Sequence, residues 1–188
     1  MNIANKLTLL RIVLAFICIG LILGNNFVSF VLALLVFSLA SFTDFLDGYL
    51  ARKRNLVSDL GKLIDPLADK ILIIGVFCAF LQLQVINAWM VSVIMLREFI
   101  VTGLRLYGLN KGIVLEAKRL GKHKTLSQII SIFIIFLTMI MSKLIPASQV
   151  VHFLREKFIP FLMWYVVIIT LFSGVNYFWI NRKVIRTF

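Results

Sequence analysis

Apolar residues in this chain do not alternate with polar ones. They come in long blocks. Six can be drawn, at about 8–23, 27–50, 64–83, 88–106, 125–144 and 158–180, with short polar stretches between them. A helix rises about 1.5 Å per residue, so an apolar run of about 18 residues or more crosses a hydrocarbon core about 30 Å thick. No stretch shows the period-two pattern of a half-buried strand. The pattern predicts an all-α integral membrane protein: one six-transmembrane-helix bundle over residues 1–188, with no sizeable soluble domain. Composition agrees, at 61% hydrophobic, where soluble domains sit near 45–50%.

The first block begins like a signal peptide, MNIANKLTLLRIVLAFICIGLILG. Arg11 interrupts its apolar body and no small-x-small cleavage site follows, so it reads as a retained span. Gly20 and Gly24 form a GxxxG within it, a pairing suited to close helix packing. Cys18 and Cys78 both lie inside apolar blocks and share no CxxC or Cys/His spacing, which excludes a disulfide framework or thiolate metal site as the organising feature.

The formal net charge is +12. In a soluble protein that would suggest nucleic acid. Here the basic residues gather at one set of span ends: Lys6, Arg11, Arg52, Lys53, Arg54, Lys62, Arg105, Lys111, Lys118, Arg119, Lys122, Lys124, Arg182, Lys183 and Arg186. The opposite ends carry Lys143, Arg155 and Lys157. Positive charge marks the cytoplasmic side and contacts anionic headgroups. A multi-pass cell-membrane protein with both termini cytoplasmic is therefore expected, and no nucleic-acid partner. His123 falls in the basic loop before the fifth span and His152 in the outer loop, both as ordinary surface residues.

Against this background the acidic residues are misplaced. Of eight in the chain, Asp44, Asp47, Asp59, Asp65 and Asp69 fall within SFTDFLDGYLARKRNLVSDLGKLIDPLADKIL, between and inside the second and third spans. Asp44 and Asp47 are three apart and Asp65 and Asp69 four apart, so each pair shares a helix face. A short loop lets the two helices pack antiparallel, and the four carboxylates can converge on one cavity. An aspartate at mid-membrane costs roughly 2.5–3.5 kcal/mol, less toward the interface, and like charges held close repel. Divalent cations remove the conflict. Hard cations such as Mg²⁺ take oxygen ligands, and a pair of them can clamp a phosphoryl group. Asp59 keeps no register with the others and reads as a loop charge.

The intervening residues fit a phosphate ligand. Gly48 leaves room for approach to backbone, Ala51 is small, and Arg52 lies one turn beyond Gly48, able to fork onto phosphate oxygens. Gly61 allows close helix contact. Pro66 disfavours helical geometry at Asp65, which marks either a bend at a ligand position or a proline near a span start. Arg97 and Glu98 lie deeper, in the fourth span, where ionisable groups pair or line a polar cavity. Glu98 could pair with a base on a neighbouring span, or Arg97 could neutralise an aspartate.

These positions together, Asp44-x-x-Asp47-Gly48-x-x-Ala51-Arg52 followed by Gly61-x-x-x-Asp65-x-x-x-Asp69, resemble the signature of the CDP-alcohol phosphotransferases, with every fixed position filled. The resemblance implies a six-span enzyme working at the cytoplasmic face, usually as a homodimer. Such enzymes move a phosphatidyl or similar group from a CDP-linked donor to an alcohol and release CMP. It implies two divalent ions, Mg²⁺ or Mn²⁺, on Asp44, Asp47, Asp65 and Asp69, with Asp69 also the general base. Gly48 and Arg52 would contact the CDP part of CDP-diacylglycerol, and Asn5, Thr8 and Ser58 resemble further donor-binding positions.

Outside the signature, NKLTLLRI, LREFIVTGLR and KRLGKHKT resemble the branch of the family whose acceptor is sn-glycerol 3-phosphate. Arg105, Lys118, Arg119, Lys122 and Lys124 would then supply cations for the acceptor phosphate, some of them serving topology and headgroup contact as well. Serine, inositol phosphate or phosphatidylglycerol as acceptor gives the same chemistry with another product. A cation transporter would also bury carboxylates, but it calls for acids deep in the spans and inverted repeats, and neither is visible. A lipid-surface scaffold leaves the aspartate spacing unexplained.

Overall fold

The computed structural model describes the backbone of residues 3–54, 59–110 and 119–185, and the side chains of 8–43, 68, 70–108 and 121–182. The described residues are helical apart from short turns: α1 (Ile3–Leu23), α2 (Phe27–Arg54), α3 (Asp59–Gln82), α4 (Ala88–Asn110), α5 (Arg119–Leu144), a short α6 (Gln149–Phe153), and α7 (Ile159–Ile185). A single π-helical turn, Leu154–Phe158, joins α6 to α7. Each of the six apolar blocks falls within one long helix. By length and composition, 121–144 and 149–182 can cross a membrane; shorter apolar stretches lie at 8–23, 27–43 and 70–82.

Burial along α1 runs through Thr8, Arg11, Ala15, Cys18 and Ile22, a three–four spacing that defines one helix face. Both polar members point inward, while Leu9, Leu10, Val13, Phe16 and Ile17 point out. Helix α7 repeats the arrangement: Thr170, Ser173, Tyr177 and Asn181 are buried, while Phe161, Trp164, Phe172 and Trp179 are exposed. A water-soluble bundle has the reverse polarity. Apolar outside and polar inside is the arrangement a helix bundle takes when lipid is the solvent.

Helix α1 packs between α2 and α3, which touch each other only lightly among the described residues. Cys18 Sγ donates to Ala33 O at 3.5 Å, fixing α1 against antiparallel α2. On the other side, a Cβ at Gly75 would come within 2.7 Å of Ile19 Cδ1, so glycine there lets α3 approach α1. Only half of the GxxxG packs closely: nothing lies within 4 Å of a Cβ built on Gly20, while one on Gly24 would come within 3.2 Å of Ser29 Cβ at the start of α2. The mid-section is filled by aromatic edges, Phe37 on Phe133 at 5.5 Å and Phe80 on Phe136 at 5.1 Å. The turn into α2 is closed reciprocally: Ser29 N–H donates to Asn26 Oδ1 at 2.8 Å and Asn26 N–H to Ser29 Oγ at 3.1 Å, a capping box.

Several sequence expectations shift. Helix α3 already includes Asp59 and runs through Pro66 without interruption. Asp59 is thus a helical residue and not a loop charge, and no break occurs at Asp65. The missing proline N–H leaves one carbonyl of the preceding turn without its usual donor, a cost that membrane helices tolerate. Helix α5 already includes Arg119, so the KHK stretch with His123 is helix instead of loop. His152 likewise sits on α6, with Nε2 at 3.1 Å from Glu156 Oε2. In both places lysine, arginine and glutamate are good helix formers, and charge ends an apolar block without ending the helix.

Gly75→Val is expected to lower the stability of the detergent-purified protein by about 1–3 kcal/mol through overpacking against Ile19. Gly20→Ala should stay within about 0.5 kcal/mol of wild type. Thermal unfolding measures both, and equal effects would contradict the packing assigned to these glycines.

Candidate active site

Helix direction decides where the signature residues stand. Cys18 lies opposite Ala33 and Ile19 opposite Gly75. Counting along helices of equal rise from those contacts places Thr8 and Arg11 level with residues 40–43 of α2 and 64–67 of α3. Asp44 and Asp47 are in the last turns of α2, and Asp65 and Asp69 in the first half of α3. The four aspartates therefore sit on helices that flank the start of α1, at one end of the bundle. Their side chains lie outside the described residues, as do those of Asn5, Gly48, Arg52 and Arg119; Ser58 and Lys118 lie outside the described backbone as well.

What is described at this level is a polar interior. Thr8 and Arg11 are each 2% exposed on α1. Deeper by about one turn is an ionic knot. Glu98 on α4, with its side chain 1% exposed, forms an ion pair through Oε2 with Lys70 Nζ on α3 at 2.6 Å. Its Oε1 accepts from Lys124 Nζ on α5 and from Arg97 Nη1 at 3.4 Å. Arg97 extends to α7, donating from Nη2 to Ser173 Oγ at 2.8 Å. It lies across Gly174, where a Cβ would come within 3.1 Å of Arg97 Cγ. One carboxylate thus ties α3, α4 and α5 together, and its neighbour ties in α7. Of the two sequence alternatives for this pair, Glu98 takes bases on neighbouring helices.

The acceptor-phosphate candidates divide. Arg105 and Lys122 are exposed, while Lys124 turns into the bundle and is buried. Elsewhere in the bundle interior, Gln128 Nε2 on α5 and Thr170 Oγ1 and Tyr177 Oη on α7 are buried and lack a hydrogen-bond partner among the described residues. Such groups inside a membrane protein call for water or a polar ligand. The interior is chemically suited to an anionic, multiply hydrogen-bonding guest at the bundle end where α2 and α3 carry the four aspartates.

Sequence reasoning passed over Arg11, Lys70, Gln128, Ser131, Thr170, Ser173, Tyr177 and Asn181 as site residues. A signal was present. Positions 124, 128 and 131, and positions 170, 173, 177 and 181, recur at helical spacing inside otherwise apolar blocks, so each set forms one polar stripe.

Comparison with known proteins gives the family. The family model described as CDP-alcohol phosphatidyltransferase matches residues 1–172. The chain belongs to the CDP-alcohol phosphatidyltransferase family. Among curated relatives, it is 37% identical to the CDP-diacylglycerol–glycerol-3-phosphate 3-phosphatidyltransferase of Bacillus subtilis (strain 168), over 99% of this chain and 98% of that one. It is 35% identical to the protein of the same name from Rickettsia typhi, over 94% and 95%. The Mycoplasma pneumoniae protein of that name is 40% identical over 66% of this chain and 55% of its own length.

Three cations share Glu98, so the knot responds asymmetrically to mutation. Glu98→Gln strands two buried ammonium groups and is expected to cost about 3–5 kcal/mol. Lys124→Met leaves Glu98 with Lys70 and Arg97 and should cost well under half of that. Thermal unfolding in detergent compares the two, and equal losses would contradict the shared-carboxylate arrangement.

Proposed function

We propose that this chain transfers the phosphatidyl group of CDP-diacylglycerol to sn-glycerol 3-phosphate, giving phosphatidylglycerophosphate and CMP in glycerophospholipid synthesis. The observation that carries the reading is the near-full-length similarity to the Bacillus subtilis protein of that named activity. The filled signature from Asp44 to Asp69 supports the chemistry. The buried Lys124 and the buried polar groups of the bundle interior support a phosphorylated acceptor. The protein works as a six-span membrane enzyme, with both termini and the reaction on the cytoplasmic side, and as a homodimer.

The donor keeps its acyl chains in the inner leaflet and brings its diphosphate to the shared end of α2 and α3. Gly48 admits it close to backbone, Arg52 forks onto its phosphate oxygens, and Asn5, Thr8 and Ser58 complete its contacts. Asp44, Asp47, Asp65 and Asp69, an all-oxygen donor set, would hold two divalent ions, Mg²⁺ or Mn²⁺. Such ions, when bound, neutralise the diphosphate and stabilise charge on departing oxygen. Lys124, with Arg105, Lys118, Arg119 and Lys122 toward the surface, draws in the acceptor phosphate. Asp69 takes the proton of the 1-hydroxyl of glycerol 3-phosphate. That oxygen forms a bond to the β-phosphorus, the bond to the bridging oxygen breaks, and CMP leaves with the electron pair. One direct displacement inverts configuration at phosphorus.

Purified protein given CDP-diacylglycerol and a panel of glycerol 3-phosphate, serine, inositol phosphate and phosphatidylglycerol should release CMP with glycerol 3-phosphate alone, and chelator should stop it. Asp69→Asn should lower turnover by about 10²–10⁴-fold while donor still binds. Release with another acceptor instead, or near-normal turnover in Asp69→Asn, would overturn the acceptor or the base assignment respectively.

A further inference from the structure

The ionic knot around Glu98 is more than a generic stabiliser. A buried ion pair is often no more stable than apolar residues of the same volume, so stability alone gives no reason to place three cations on one carboxylate. What the arrangement does accomplish is geometric. The two carboxylate oxygens of Glu98 are divided: Oε2 takes Lys70 at 2.6 Å and Oε1 takes Lys124. Lys70 directly follows Asp69 on α3, and Lys124 is the inward-facing candidate for the acceptor phosphate on α5. Helices α3 and α5 share only a narrow direct contact among the described residues. Their relative position near the chemistry is therefore set through the side chain of α4 that both lysines grip. Arg97, bonded to Ser173, anchors the same stretch of α4 to α7.

We infer that Glu98 is a positioning residue for the transfer: by holding Lys70 and Lys124 on one carboxylate, it fixes the acceptor-side ammonium relative to the helix that carries Asp65 and Asp69. It touches neither substrate nor product. Its effect is exerted through Lys124, so it belongs to acceptor use and not to donor binding. The inference rests on the proposed reading of Lys124 as an acceptor-phosphate contact.

The test compares Glu98→Gln, Glu98→Asp and Lys124→Met in the full-length protein, with KM measured separately for glycerol 3-phosphate and CDP-diacylglycerol, alongside the melting temperature. Glu98→Asp keeps the charge and shortens the reach by one methylene, so it folds like wild type. A positioning role predicts a KM for glycerol 3-phosphate raised about tenfold in Glu98→Gln and several-fold in Glu98→Asp, with the KM for CDP-diacylglycerol little changed. A structural role alone predicts that Glu98→Asp matches wild type in both KM values, and that result overturns the proposal. Lys124→Met separates it from the reading beneath. An unchanged KM for glycerol 3-phosphate there removes Lys124 from the acceptor site, and the proposal falls with it. A raised KM in Lys124→Met beside wild-type values in Glu98→Asp keeps the acceptor contact and overturns the role of Glu98 alone.

Discussion

Charge inside an apolar bundle must be compensated, and that constraint governs this protein. In lipid, an unpaired ion or an unsatisfied backbone group has no water to turn to. The chain answers with helices that are apolar on the outside and polar within, and with ions gathered where they can neutralise one another. Glu98 is the clearest case, a side chain 1% exposed that is surrounded by Lys70, Arg97 and Lys124. Removing any comparable charge from the aspartate-bearing helices would change the balance at the same end of the bundle. For the diphosphate donor proposed above, ion compensation and substrate binding would be one problem.

The packing serves this arrangement. Helix α1 lies between α2 and α3, drawn against α3 by Gly75 and against α2 through Cys18 and Ala33. The α1 wedge brings Thr8 and Arg11 to the level of the aspartate pairs. Aromatic contacts at Phe37, Phe80, Phe133 and Phe136 fill the mid-section. The buried charges Arg11, Glu98 and Lys124 lie between that plug and the bundle end that carries the signature.

Much of this was legible in the sequence, because long apolar blocks and their helix-period interruptions are local properties. The blocks gave the long helices, and the Asp44–Asp69 spacing gave the family. What the sequence hid was pairwise. Nothing local says that Glu98 meets Lys70 and Lys124, since each lies on a different helix and the match depends on register. The GxxxG looked like a packing site by pattern, while its Gly20 stands clear and the close approach of α1 to α3 falls at Gly75, which has no partner glycine in its pattern. Helix ends also moved: KHK before Thr125 and the segment around His152 are helical, because charged residues that end an apolar block are themselves good helix formers. The polar stripes of α5 and α7 could have been found by scanning for helical period in the polar residues.

The central claim is that the four aspartates of α2 and α3 face one another across a cation-filled site that receives the diphosphate. The most direct measurement is anomalous scattering from crystals of the protein grown with Mn²⁺ and CDP-diacylglycerol. The account predicts manganese density within about 2.0–2.3 Å of carboxylate oxygens from Asp44, Asp47 and Asp65, with Asp69 beside it and the nucleotide diphosphate against it. Carboxylates pointing apart, or closed onto arginine with no manganese between them, would contradict it.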